Sequence, residues 1–453
     1  MIIKDLSIQT ILGSIRNQLN RVEDRRTKDR YNMLSYYEGM TDVMEQDIAQ
    51  YFDSESLKQA PPVTESITTK LVNGRAIVYK QTPDRQVDER YLEFTDDLDS
   101  AMLQFERMTY LLGTMAMKSN WNEEDQKINY VPLTEFYPIF LPHQEAPVAC
   151  MYPIYNYSTN TDRYDQIFAF WSDTDHFLIN GKGQIVEQEE NPDRVNPYGI
   201  KPIVYAHRKV LTTDWFREGC SDIVSMNKTI NIMLTEMSLS MRLQMLGQPV
   251  LEGVDEANKI KMGVDKPLVL PEGAHFKFES PSGGLQQYVE AMRFLVDSVA
   301  YNHNLKTKWS VGREGMMSGE SLKMAEIELT ESVILDAQMI WRPVEKQRFA
   351  IDRAIIEYET GSGMGEDYSV DFTEPRFPLT AQEERNQWDW EWQHGLSSKK
   401  DWFRKYNPDA DDDMLEEMET RIEDEGTPQT EDERARESTK FDLKKAINGN
   451  GNT

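Results

Sequence analysis

Apolar residues recur every three to four positions over much of this chain, but in its second quarter they gather in short β-branched and aromatic segments, and that change of pattern and period divides the sequence. Ile11, Ile15, Leu19 and Val22, followed by RYNMLSYYEGM, predict helices over residues 1–52. Pro61–Pro62 ends that run. TESITTKLVNGRAIVYK then mixes β-branched residues with an Asn73–Gly74 turn signal and reads as strand, turn and strand. Leu98, Met102, Phe105, Met108, Leu112 and Met115 form one stripe, predicting a core helix over 98–118. From 121 to 208 the segments INYVPLTEFYPIF, APVACMYPIYNY, DQIFAFWS, HFLIN and IKPIVYAH are short, aromatic and β-branched, with Pro, Asn and Gly between them. Roughly the first 210 residues therefore read as one α+β domain.

The chain is organised around residues 226–353. A helix over 217–246 carries Met226, Ile230, Met233, Met237 and Met241 along one face. Methionine adapts to irregular surfaces, so the stripe reads equally well as buried core or as a packing surface for another subunit. PVLEG, KPLVLP and HFKFES are three candidate strands of an insert over 247–284, too small for a core of its own. A returning helix spans Leu285–Asn302, followed by HNLKTKWSVGREGMM over 303–317. No acid lies between Asp297 and Glu314, whereas Lys306, Lys308 and Arg313 do, beside Gly312, Gly315 and Trp309. That segment reads as an ordinary solvated loop or as a mobile basic loop that touches a polyanion. Ser318 caps a further helix that runs to about Glu359, is kinked at Pro343 and is ended by GSGMG. YSVDFTEPRF is a last strand returning to the first domain. Three short helices follow, and the polar tail after Gly426 lacks a hydrophobic period.

Composition narrows the function more than the fold. A net charge of −28 over 453 residues argues against wrapping nucleic acid through a general phosphate-binding surface, though not against DNA that passes without sticking. A hydrophobic content of 39% with 28% charged residues fits an elongated or ring-forming subunit better than a compact enzyme. Cys150 and Cys220 are too few for a disulfide framework and read as buried thiols of a protein assembled in a reducing compartment. No run approaches the ~18 apolar residues of a membrane span, and the N-terminal segment lacks a signal-peptide pattern.

Catalytic motifs are missing. Gly181–Lys182–Gly183 lacks the upstream Gly and the Ser/Thr of a phosphate loop. Asp409, Asp411 and Asp413 imitate a calcium loop, but Met414 stands at its Gly and Thr420 at its Glu. Six scattered histidines give no zinc signature, GxSxG is absent, and nothing pairs the 78 carboxylates specifically. No cofactor or metal is expected.

Six stretches in this order carry a resemblance: RYNMLSYYEG, NPYGIKPIVYA, SDIVSMNKTINIMLTEMSLSMRLQMLGQPVLEG, SGGLQQYVEAMRFLVDSVAYNHNL, SGESLKMAEIEL and GLSSKKDWFRKYNPDADDDMLEEMETRIEDE. Together they resemble portal proteins of tailed bacteriophages, the head-to-tail connectors at the unique capsid vertex. The resemblance implies a non-enzymatic, twelve-subunit ring in the virion, assembled in the bacterial cytoplasm, around a channel for DNA packaging and ejection. It implies a wing over 1–216, stem helices over 217–246 and 285–302, and a β-containing clip over 247–284. A tunnel loop over 303–317, a kinked spine helix with a returning wing strand over 318–378, and a short helical crown with the tail over 379–453 complete the portal fold. The implied partners are further copies of the chain, double-stranded DNA, terminase, head–tail adaptor or tail proteins, and the major capsid and scaffolding proteins, with no membrane. Lys306, Lys308, Trp309, Arg313, Met316 and Met317 would face the DNA channel, and the methionine stripe would pack between subunits. Val250, Leu251, Lys259, Lys261, Phe276 and Lys277 of the clip would meet a partner. An acidic oligomeric enzyme with an unrecognised carboxylate site, or another head–tail ring protein, remain the competing readings.

Overall fold

The structure is a computed structural model. It describes residues 25–59, 61–141, 144–154, 167–180, 184–212, 214–246, 248–252, 273, 275–279, 285–306, 327–372, 381–406, 414–415, 418 and 420–421. By contacts the chain divides into residues 1–375 and 376–453. The described residues mix helix and sheet, as the change of period predicts.

The first unit opens with α1 (Arg25–Glu38), α2 (Thr41–Ala49), α3 (Ser54–Gln59) and α4 (Ile67–Arg75). A 3-10 turn at Val78–Lys80, β1 (Asp84–Gln86), α5 (Glu89–Phe94) and α6 (Leu98–Leu112) follow. Next come β2 (Thr114–Asn122), β3 (Lys127–Leu133), β4 (Tyr137–Ile139), β5 (Ala149–Ile154), β6 (Ile167–Ser172), β7 (His176–Asn180), β8 (Ile185–Val186) and β9 (Ile203–His207). The second half holds α7 (Ser221–Leu246), β10 (Gln248–Glu252), β11 (His275–Glu279), α8 (Leu285–Asn302), α9 (Ile327–Asp336), α10 (Arg342–Thr360) and β12 (Ser369–Asp371).

Every strand pairing among the described residues is antiparallel. β4 to β8 form a five-stranded meander, and β3–β2–β9 form a three-stranded sheet. Alternation explains how the meander is buried on both faces. Ala149, Met151, Phe168 and Phe170 point into one apolar cluster with Phe177 and Ile179. Cys150, Tyr152, Ala169 and Trp171 point into another with Ala116 and Ile203 of the three-stranded sheet. The largest core lies among α1, α4, α6, α7, α8 and α10, where Met102, Phe105, Leu111, Ile223, Ile230, Val296 and Ile355 are buried.

Several sequence expectations are corrected. The segment around Asn73–Gly74 is helix α4 rather than strands, because its first turn is capped from α7. The helix expected over 98–118 stops at Leu112, where Gly113 takes φ +83°. The chain then re-enters as β2, in which Met115 is buried. Just before Pro343, where a kink is expected, the helix holds a π turn over Ala337–Trp341, in which the Arg342 N–H donates to the Ala337 carbonyl five residues back. A wider turn is one way a helix takes up a proline ring and its missing N–H. The helix expected to open at Arg217 starts at Ser221, four residues later.

Gly361, at φ +67°, closes α10, and β12 pairs with β1. The second unit contains α11 (Ala381–Gln393) and α12 (Lys399–Tyr406), joined by Trp388 against Trp402 and by the Lys405–Glu384 ion pair at 2.6 Å. The strand candidate KPLVLP, the start of the long helix at Ser318 and most of the third terminal helix lie outside the described residues.

Candidate functional site: the helical hairpin and the root of the basic loop

α7 and α8 form a hairpin whose far end carries the antiparallel ribbon β10–β11. Its near end is built into the core by a polar ladder. Asn227, Asn231 and Thr235 lie four residues apart on α7 and are all buried. The Asn227 carboxamide oxygen accepts from the Ile67 and Thr68 N–H groups at 2.8 and 2.9 Å and from the Thr68 hydroxyl at 3.0 Å. Its amide donates to the Glu65 carbonyl at 2.7 Å. Asn231 and Thr235 accept from the Glu65 and Val63 N–H groups at 3.0 Å each. The first turn of α4 is thus capped by a side chain 160 positions away, which offsets the poor helix propensity of its β-branched start.

The base of α7 is held by close backbone contact. A Cβ on Gly113 would lie 2.2 Å from the Arg217 carbonyl oxygen, and one on Gly219 would lie 2.2 Å from that of Leu111. Cys220 N–H donates to the Leu111 carbonyl at 2.8 Å, and Arg217 N–H to Thr114 Oγ1 at 2.8 Å.

At the end of α8 the chain makes a fixed turn, up to Lys306. Asn304, at φ +58°, takes the left-handed position of a Schellman motif. Its N–H donates to the Tyr301 carbonyl at 3.0 Å, and that of Leu305 to Ala300 at 2.9 Å. The Leu305 side chain packs on the core, within van der Waals reach of Gly74. His303 is buried between Asp222, 2.8 Å from Nε2, and both the Tyr110 hydroxyl and an Arg208 nitrogen, 2.6 and 3.0 Å from Nδ1. Burial pushes the Tyr110 hydroxyl up to about 12. Burial opposes ionisation of Asp222 most strongly of any single effect, but the hydrogen bond and charge of His303, the Ile223 N–H and Arg208 together outweigh it and hold the carboxyl below its usual range.

The helix that re-emerges after the loop is tied to the same cluster. The Arg75 and Arg208 guanidinium groups lie 5.3 and 4.3 Å from the Tyr110 ring centroid. Arg75 also pairs with Asp336 of α9 at 2.6 Å. Beside them Glu106 is fully buried. Its oxygens accept from the Val78 and Tyr79 N–H groups at 2.9 and 3.0 Å, and burial raises its pKa to about 7.

Further along, α10 is locked by a charged core. Arg348 lies between Glu345 and Asp352, 2.5 Å from each, and all three side chains are inaccessible to solvent. Tyr91, Tyr130 and Ser119 donate to Asp352. Tyr79, Tyr368 and Arg85 donate to Glu345. Among the described residues no group of three or more His, Cys, Asp or Glu could hold a metal ion, and no helix is long and apolar enough to cross a membrane.

No protein-family model matches the chain, and no curated protein matches it. Among solved structures it is similar to a chain in the neck of an empty GTA particle computed with C6 symmetry, at 12% identity and a TM-score of 0.41, over 78% of this chain and 93% of that one. It is also similar to a chain in the virion of a native gene transfer agent (GTA) particle, at 12% identity and TM-score 0.38, over 77% and 91%. A third is in the neck of the native GTA particle computed with C12 symmetry, at 11% identity and TM-score 0.38, over 74% and 87%. With TM-scores this low, the likenesses carry no argument about function.

Of the basic-loop candidates, the exposed Lys306 lies at the loop's root. Lys308, Trp309, Arg313, Met316 and Met317 lie outside the described residues, as do Lys259 and Lys261. In the ribbon, Val250 stands opposite Lys277 and Leu251 opposite Phe276, and Lys277 pairs with Glu252 at 3.0 Å. The methionine stripe is graded. Met226 and Ile230 are buried in this chain's own core, Met233 and Met237 pack partly against it, and Met241 is 43% exposed. The Asn227–Asn231–Thr235 ladder had a signal in the sequence, polar residues at four-residue spacing on an otherwise apolar helix. The His303 cluster had none, because its members come from four separated segments.

Proposed function

We propose that this chain is a subunit of a ring at a phage-type capsid vertex and acts as a passive conduit for double-stranded DNA. The observation that supports the proposal is the α7–α8 hairpin, which carries the β10–β11 ribbon at one end and, at the other, a turn held by the buried His303 cluster at the point where the basic segment begins in the sequence. α7 and α8 would line the wall, the β10–β11 ribbon would project from it to meet terminase and later tail or adaptor proteins, and the loop from Lys306 onward would reach the channel. The Schellman motif and His303 fix the point from which the basic segment departs.

Electrostatics fits transit rather than binding. Copies at −28 each repel DNA within about 8 Å at physiological salt, so the wall does not retain it. Lys306, Lys308 and Arg313 would supply weak, repeated phosphate contacts at one level. The sequence carries no phosphate-loop motif, so the energy of packaging would come from the terminase.

Replacing Lys306, Lys308 and Arg313 together by glutamine is expected to leave ring assembly intact while shortening or losing packaged genomes. Genome length in purified particles, measured by pulsed-field electrophoresis, reads this directly. Full-length genomes retained at the normal yield would remove the channel role of the loop.

A further inference from the structure

Two surface features on the α7–α8 hairpin match each other and lie on different faces. One is an apolar groove of 340 Å³ between α4, α7 and α8, lined by Ile67, Ile230, Leu234, Val289 and Met292, with Glu65 and Arg293 at its lips. The other is a pair of aromatic side chains on α8. Phe294 is 71% exposed and Tyr301 67%. They stand seven residues apart, two turns along one face, and about 145° round the helix from the face that Val289, Met292, Val296 and Ala300 turn inward. Exposed aromatic side chains of this size are what interfaces bury, each worth roughly 150–250 Å² of contact.

We propose that Phe294 and Tyr301 of one copy seat in this groove on a second copy. This rests on the ring reading above and assigns its subunit contact. Both halves of the complementary pair belong to the same chain, and that points to a second copy as the occupant. Charge agrees. The aromatic flank of α8 carries Glu290 and Asp297 and no basic residue, while of the groove's two lips Arg293 is cationic and Glu65 acidic, so the flank is steered to the Arg293 side. Arg293 of one copy would therefore meet acids of its neighbour, a contact that a chain of net charge −28 does not make by indiscriminate self-association. Because knob and groove lie on different faces, the contact is head-to-tail. Such a contact repeats from copy to copy and forms a ring where the rotation between copies closes, whereas a contact between like surfaces would stop at a dimer.

The test uses the full chain. Phe294→Asp is expected to give monomers at concentrations where the unaltered chain assembles, with the same circular dichroism spectrum and melting temperature. A second variant, Leu234→Cys with Phe294→Cys, guards against misfolding of the first. Under mild oxidation it is expected to give a ladder of dimers, trimers and higher covalent species, with neither single variant doing so; Cys150 and Cys220 are buried and do not compete. Rings formed normally by Phe294→Asp, covalent dimers only, or a bridge confined within single chains would each overturn the assigned contact and leave the ring reading standing. An unaltered chain that never assembles would instead overturn the ring reading itself.

Discussion

Arg348→Ala is expected to destabilise the first unit by about 3–5 kcal/mol, enough to leave a marginal domain largely unfolded. The guanidinium is the cation between two carboxylates that no water reaches, and its removal strands Asp352 in a low-dielectric core and leaves Glu345 with Arg85 as its one remaining cation. Glu345 shows how strongly the site depends on its cations. Burial alone would raise its pKa, but Arg348 and Arg85 overcome that and bring it to about 2. A carboxyl lowered in this way stabilises the fold above its unfolded value near 4.5, and the contribution disappears as pH falls towards 2. Arg348→Lys keeps the charge but loses the planar fork, so it is expected to recover only part of the loss. Urea melts at pH 7 measure both. An Arg348→Ala variant within about 1 kcal/mol of the parent, a figure typical of exposed pairs, would show that the network is not buried as described.

Gly219→Ala is expected to cost about 3 kcal/mol through crowding alone. Its new methyl carbon would meet the Leu111 carbonyl oxygen at 2.2 Å and Met33 Sδ at 2.7 Å, and the first of these is backbone with nowhere to go. The base of α7 would have to lift from the end of α6, breaking the Cys220–Leu111 hydrogen bond and tilting the hairpin away from its core. Gly199→Ala provides the contrast. Gly199 takes a left-handed conformation, at φ +68°, but nothing lies within 4 Å of the added carbon. Its substitution should therefore lose only about 1 kcal/mol of backbone preference. Thermal melts of the two variants separate steric from conformational cost, and equal losses would contradict the close crossing at Gly219.

The sequence revealed most where local period and tertiary environment agree. The hairpin, the ribbon strands and the meander all follow from apolar spacing, because their faces are buried by the elements that the same spacing predicts. It failed where a distant partner decides. Ile67, Thr68 and Thr69 favour strand on their own, yet Asn227 supplies the cap that makes them helix. Glu345, Arg348 and Asp352 have the i, i+3 and i+7 spacing of a solvated charged face, and only the arrival of Tyr79, Tyr91, Tyr130 and Tyr368 from other segments makes that face core. Pro343 announced a defect but not the π turn over Ala337–Trp341 that precedes it. For the candidate site, the basic composition of the loop was legible and its anchorage was not. His303 looks like any residue after a helix until Tyr110, Arg208 and Asp222 surround it.

Everything proposed for function requires this chain to close on copies of itself around a channel. Electron microscopy of the purified protein, alone and with scaffolding protein, decides that point. Class averages are expected to show closed rings with an axial hole and a rotational symmetry near twelve-fold. A preparation that stays monomeric at high concentration under both conditions would contradict it.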